Sequence, residues 1–166
     1  KSFTLDGEGR FESVAAVEHR QIFPNAGWVE HDPEELLRNV SACLEVAGKV
    51  DAIGMDNQGE TVIAWDAGTG KPIYNAIVWQ DSRTQDATEK LKADGAEELT
   101  LARAGLPLDP YFSAGKLRWL LDHADGARSL LPSEPNGGNT RLGTFGGAPG
   151  LILTEGVHCG FWLAGA

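Results

Sequence analysis

Cysteine is scarce in this chain of 166 residues. The two present, Cys43 and Cys159, lie far apart, form no CxxC pair and have no histidine at metal-ligand spacing. The usual sequence signs of a cysteine-built metal or redox site are therefore missing. Histidine adds nothing to them: His19, His31, His123 and His158 are scattered, and no metal site is assigned. Long apolar runs are missing too. None approaches the ~20 residues that span a bilayer, and no basic-then-apolar signal segment opens the chain, so the cytoplasm is the default compartment. Positive charge is in deficit, with 14 Lys and Arg against 24 Asp and Glu and a net charge of −10. A nucleic-acid backbone or an anionic membrane needs the opposite footprint, so neither is an expected partner. Initiator methionine is also absent: the chain opens on Lys1 and is expected to begin inside a longer gene product.

The remaining composition, 42% hydrophobic and 23% charged, is that of a soluble globular domain of ordinary size. The opening reads as two strands joined by a turn at Asp6-Gly7-Glu8-Gly9. A helix follows in "HDPEELLRNVSACLEVAG". Asp32 can cap it, Pro33 suits its first position, and Glu34 and Glu35 favour the positive end of its dipole. Leu36, Leu37, Val40, Leu44 and Ala47 recur at helical spacing on it, Cys43 falls on the same stripe as a buried thiol, and Gly48 is the stop signal. Three strand-like runs come next, "VDAIGM", "TVIAWD" and "IYNAIVW", the last two joined by a hairpin turn from Asp66 to Gly70. Helical patterns then occupy "SRTQDATEKLKAD", "AEELTLARAG" and "SAGKLRWLLDHA". Residues 132–150 are rich in Gly and Pro and read as irregular, and the apolar end of the chain reads as a strand or short helix. This mixture indicates an α/β domain, with a central mixed sheet and helices on its faces.

Chemistry concentrates in four segments: "FPNAGWVEHDPEEL", "GMDNQGETVIAWD", "YNAIVWQDSRT" and "LDPYFSAGKLRWLLD". In this order and spacing they resemble the glycerol kinase branch of the FGGY carbohydrate-kinase family. The likeness runs over residues 1–131, as part of that family's N-terminal domain, with echoes in "LGT" and "LTEGVH" within an irregular 132–166 tail. The resemblance implies an actin-like (ribonuclease H-like) ATPase fold and an enzyme that moves the γ-phosphoryl group of ATP, with Mg2+, to a hydroxyl of a small polyol. Catalysis of that kind is largely positioning and charge neutralisation. Glu60 matches the family's polyol-binding glutamate, Trp79 the tryptophan packed on the polyol's carbon face, and Tyr111 the tyrosine that reaches a substrate hydroxyl. Such a set suits a polyol, which needs acceptors for its O–H groups and an apolar wall for its C–H face. Taken without the likeness, Trp79 reads as a core residue, Tyr111 as a packed turn aromatic and Glu60 as a solvated loop acid. Asp81, Arg83 and Thr84 read as structural: a helix cap and side chains bonded to the adjoining loop. "GTFGGAPG" lacks the Lys-Ser/Thr ending of a phosphate-cradling Walker loop and reads as surface.

The chain departs from the family in three places. Gly59 stands where "NQRET" has arginine, removing a planar multiple donor from the substrate pocket. The family's opening strand, with its "DxGTTS" phosphate loop, is missing, and it would lie between the strands of "KSFTLD" and "VDAIGM". The catalytic aspartate and the adenosine pocket belong to a second domain. The expectation is therefore a fragment that carries part of the substrate wall, inactive by itself and with no catalytic residue of its own. A kinase for a longer sugar or polyol, favoured by Gly59, and a degenerate non-catalytic binding domain are the alternatives. Homo-oligomerisation stays open.

Overall fold

The computed structural model describes residues 1–66, 69–130, 142–144 and 161–164. It is α/β, as expected. The strands are β1 (Ser2–Leu5), β2 (Phe11–Ala15), β3 (Glu30–His31), β4 (Ala52–Met55), β5 (Ala64–Asp66), β6 (Ala76–Ile77), β7 (Leu142–Thr144) and β8 (Phe161–Ala164). The helices are α1 (Pro33–Ala47), α2 (Gln85–Ala93), α3 (Ala96–Ala104) and α4 (Ser113–His123), followed by a 3-10 turn at Ala127–Leu130.

Among the described residues the sheet is in pieces: β1 pairs with β2, β3 with β6, β4 with β8 and β5 with β7, all antiparallel. Short strands explain this. β3 and β6 have two residues each, and single bridges carry the pairing further, Ile22 to Glu30 and Val62 to Ile77. Ile77 thus sits between Glu30 on one side and Val62 on the other. The stretch expected to be irregular contains β7, and the apolar end contains strand β8; the rest of 132–166 lies outside the described residues. Cys159 and His158 lie outside them as well.

Local chemistry accounts for the helix ends. Asp32 caps α1 by accepting the Glu34 amide at 2.9 Å, and Gly48, at φ 71°, closes it by donating to the Leu44 carbonyl. Helices α2 and α3 are separated by Gly95 at φ 81°, a left-handed position that glycine occupies without steric cost. The α1 stripe departs from expectation. Cys43 is buried, but Leu37, Val40 and Leu44 are exposed, because the described neighbours of α1 are β1 and β2, a two-stranded layer too narrow to cover the whole stripe.

The main core forms elsewhere. Val62, Ala64, Ile77, Leu120, Ala124 and Ala127 bury one another, with Ile73, Tyr74, Leu117, Trp119 and Leu121 packed around them. Helix α4 therefore lies on the hairpin of β5 and β6. The hairpin is closed by Asp66, whose N–H donates to the Lys71 carbonyl while its carbonyl accepts from Gly70. The buried face of α4 reads Lys116 and Leu120, at i and i+4, and the buried C-cap Ala124 follows them. Packing of α4 on the hairpin brings three chain segments to one end of this core: the turn before Val62, the residues after β6 and the loop before α4.

Candidate functional site

Those three segments carry Gly59 and Glu60, Trp79, and Tyr111. Trp79 emerges two residues after β6, and its backbone N–H donates to Thr61 Oγ1 at 3.3 Å, tying it to the residue after Glu60. The Trp79 ring meets the Tyr111 ring edge to face, with centroids 5.9 Å apart and planes at 70°. Tyr111 in turn meets Phe112 edge to face at 5.3 Å. Trp79 is 36% exposed and Tyr111 41%, so neither is a core aromatic and a solute can reach both.

Glu60 is half-buried, and its backbone has φ 61°, the one positive φ outside glycine among the described residues. Its Oε2 accepts from the Ser113 N–H at 2.6 Å and the Ser113 hydroxyl at 2.7 Å. Ser113 opens α4, and Phe112 before it has no side chain able to cap. Glu60 therefore satisfies an orphan N–H from outside the helix and sets its charge at the positive end of the dipole. Its other oxygen, Oε1, accepts no hydrogen bond among the described residues. One carboxylate thus anchors the loop of Tyr111 and keeps an acceptor free beside two aromatic rings. A ligand with several O–H groups and a C–H face fits that combination. At Gly59 an added Cβ would meet nothing within 4 Å, so the space a longer side chain would fill is open.

The structure brings all four sequence-chosen residues to one place. It also explains "QDSRT" beyond the Trp. Asp81 is fully buried and caps no helix; its Oδ2 accepts the Val29 N–H at 2.6 Å, and both its oxygens bind Arg83. Arg83 reaches on to Glu30 at 2.7 Å, with its guanidinium carbon 4.0 Å from the Trp28 ring centroid and 4.5 Å from that of Trp119. Glu30 is completed by the Tyr74 hydroxyl and the Asn75 amide. Thr84 precedes α2 without a capping side-chain bond and packs against Gly115. This network fixes the start of α2 and the far side of the Trp79 segment.

Lys116 escaped the sequence reading. It is fully buried, and its ammonium donates to the carbonyls of Pro110 at 2.9 Å, Tyr111, and Phe112 at 3.5 Å. Burial pushes it down to about 8, against the opposing charges of Glu60, Asp81 and Asp109. The signal was available: Lys116 stands four residues before Leu120 on the apolar stripe of α4.

No group of three His, Cys, Asp or Glu among the described residues could hold a metal ion. No helix among them is long and apolar enough to cross a membrane.

Comparison with known proteins finds the following likenesses. Residues 1–130 match the family described as the FGGY family of carbohydrate kinases, N-terminal domain. A glycerol kinase of Saccharopolyspora erythraea is 51% identical over 129 residues, which are 73% of this chain and 26% of that protein. A glycerol kinase of Burkholderia pseudomallei is 48% identical over 136 residues, covering 77% and 27%. The crystal structure of Plasmodium falciparum glycerol kinase with ADP superposes with a TM-score of 0.71 at 33% identity, covering 76% of this chain and 27% of that one. A ligand-bound xylulose kinase from Lactobacillus acidophilus shares the fold, with a TM-score of 0.66 at 22% identity over 75% and 26% of the two chains. The chain spans about a quarter of the length of the curated relatives it matches.

Proposed function

The chain belongs to the FGGY family of carbohydrate kinases and has its actin-like α/β fold, and on that premise we propose that residues 59, 60, 79 and 111 form the polyol wall of an ATP-dependent, glycerol-type kinase. The observation that carries this is the convergence of Glu60, Trp79 and Tyr111, with the carboxylate half committed to Ser113 and half free. In this reading Glu60 Oε1 accepts hydrogen bonds from the polyol, Trp79 covers its carbon face and the Tyr111 phenol bonds a hydroxyl. The wall binds and orients; it supplies no base and no phosphate contact. ATP and Mg2+ act in the complete enzyme. The described residues offer no metal cluster, so no step here runs through the ion. Residues 1–131 form part of the N-terminal domain, and 132–166 are its weak continuation.

A second reading of the substrate rests on Gly59. An arginine there would point several fixed donors at hydroxyls; glycine leaves open space. We infer that the complete enzyme accepts a polyol longer than glycerol, or has a weak KM for glycerol. An ADP-release assay of the complete enzyme against glycerol and four- and five-carbon polyols tests both readings. Turnover of at least one polyol is expected, with Gly59→Arg shifting preference toward glycerol. No turnover of any polyol would overturn the proposed function. A wild-type preference for glycerol that Gly59→Arg does not improve would overturn the reading of Gly59 alone.

A further inference from the structure

We propose that Lys116 is a positioning residue for the substrate site: its buried ammonium clamps the loop 109–113 from beneath and so fixes Tyr111 against Trp79. This rests on the kinase reading for its functional consequence, though not for the clamp itself.

Two features make an ammonium at this position costly. Lys116 is fully buried, and it sits in the first turn of α4, where the helix dipole disfavours positive charge. An apolar residue would fill the i−4 position beneath Leu120 without either cost. What the ammonium provides is three donors on one atom, and three consecutive carbonyls, of Pro110, Tyr111 and Phe112, converge on it. The carbonyls of Pro110 and Tyr111 precede the helix and have no intrahelical partner, while that of Phe112, the N-cap, shares the ammonium with the first intrahelical bond. From the other side, Glu60 takes the next amide, that of Ser113, and Asp109 Oδ1 takes the Tyr111 amide at 2.8 Å. The loop is therefore held along four consecutive residues by a cation below and carboxylates beside it. Its one outward side chain with a phenol is Tyr111. The acidic groups whose charges act on the ammonium are Glu60, Asp81 and Asp109, drawn from the turn before Val62, the segment after β6 and the loop itself. The cation therefore carries charge favourable to all three segments while bonding directly to one of them. Lys116 touches no substrate; it acts through Tyr111.

Amide hydrogen exchange of the complete protein reads the clamp directly. Lys116→Met, which keeps the stem and removes the charge, is expected to raise exchange at the Ser113 amide and the Tyr111 amide roughly tenfold or more, with α1 unchanged. Lys116→Gln replaces it where the methionine variant does not fold, with a smaller rise in the same two amides. Kinetics read the consequence: KM for the accepted polyol should rise roughly tenfold with kcat falling less, and Tyr111→Phe should lose most of its own KM effect in the Lys116→Met background. Unchanged exchange at both amides overturns the clamp. Raised exchange in a protein whose wild type phosphorylates no polyol supports the clamp and refutes the proposed function. Raised exchange with a normal polyol KM in an active enzyme overturns the positioning role.

Discussion

Glu60 occupies a left-handed backbone position that costs a non-glycine residue about 1–2 kcal/mol. That it is tolerated beside a glycine, and not exchanged with it, implies that the side chain repays the backbone through Ser113. Lys116 presents the same tension in its charge. Its folded-state value near 8 lies below its ordinary 10.5. Between those values the unfolded chain holds the proton that the folded chain has lost, so this group makes folding stability rise as pH increases from about 8 toward 10.5. Its charge is therefore a burden on the fold. Deprotonation, however, removes the charge and one donor from the three carbonyls of the Tyr111 loop. Stability and polyol affinity should move in opposite directions: from pH 7 to 9.5 the denaturation midpoint gains this group's contribution while polyol KM rises. Lys116→Met as reference should lack both components. A KM that stays level across that range in the wild-type enzyme would speak against the clamp.

At the scale of elements, the buried cluster of Glu30, Asp81 and Arg83 joins β3 to the start of α2. All three side chains are 2% exposed or less. Removing the cation alone leaves two carboxylates buried without it, so Arg83→Met should destabilise the protein by about 3–5 kcal/mol, read by urea unfolding. A loss below about 1 kcal/mol would mean that water replaces the guanidinium. How much of this was legible follows from the range of each interaction. The α1 cap at Asp32, the Gly48 stop, the Gly95 break and the opening hairpin are local, and residue order alone predicts them. The Asp81 bond to Val29 spans 52 positions and the Glu60 bond to Ser113 spans 53; neither leaves a pattern in nearby sequence. Asp81 was therefore expected to cap a helix that in fact begins at Gln85. Lys116 could have been found, as the one charge on an otherwise apolar helix face. Exposure of Leu37 and Val40 could not, since periodicity gives a face but not its partner.

At the scale of the molecule, the best-buried region among the described residues is the hairpin of β5 and β6 under α4, and the proposed wall stands at one end of it. The expected central sheet is present only as two-stranded pairs among the described residues, whereas this core is continuous. Site and core therefore share a foundation. Ile77, fully buried between Glu30 and Val62, lies two residues from Trp79, so the ring is delivered by the most protected strand among the described residues. The likeness to glycerol kinases covers about a quarter of their length. The contribution proposed for this chain is to hold and orient a polyol. Glu60→Gln in the complete enzyme tests that most directly, because glutamine can keep an acceptor oxygen for Ser113 while an NH2 donor replaces the charged acceptor offered to the polyol. The account predicts that kcat/KM for the accepted polyol falls by about 2 kcal/mol, roughly thirtyfold, with the urea midpoint nearly unchanged. An unaltered kcat/KM would contradict it and leave Glu60 as nothing more than the cap of α4.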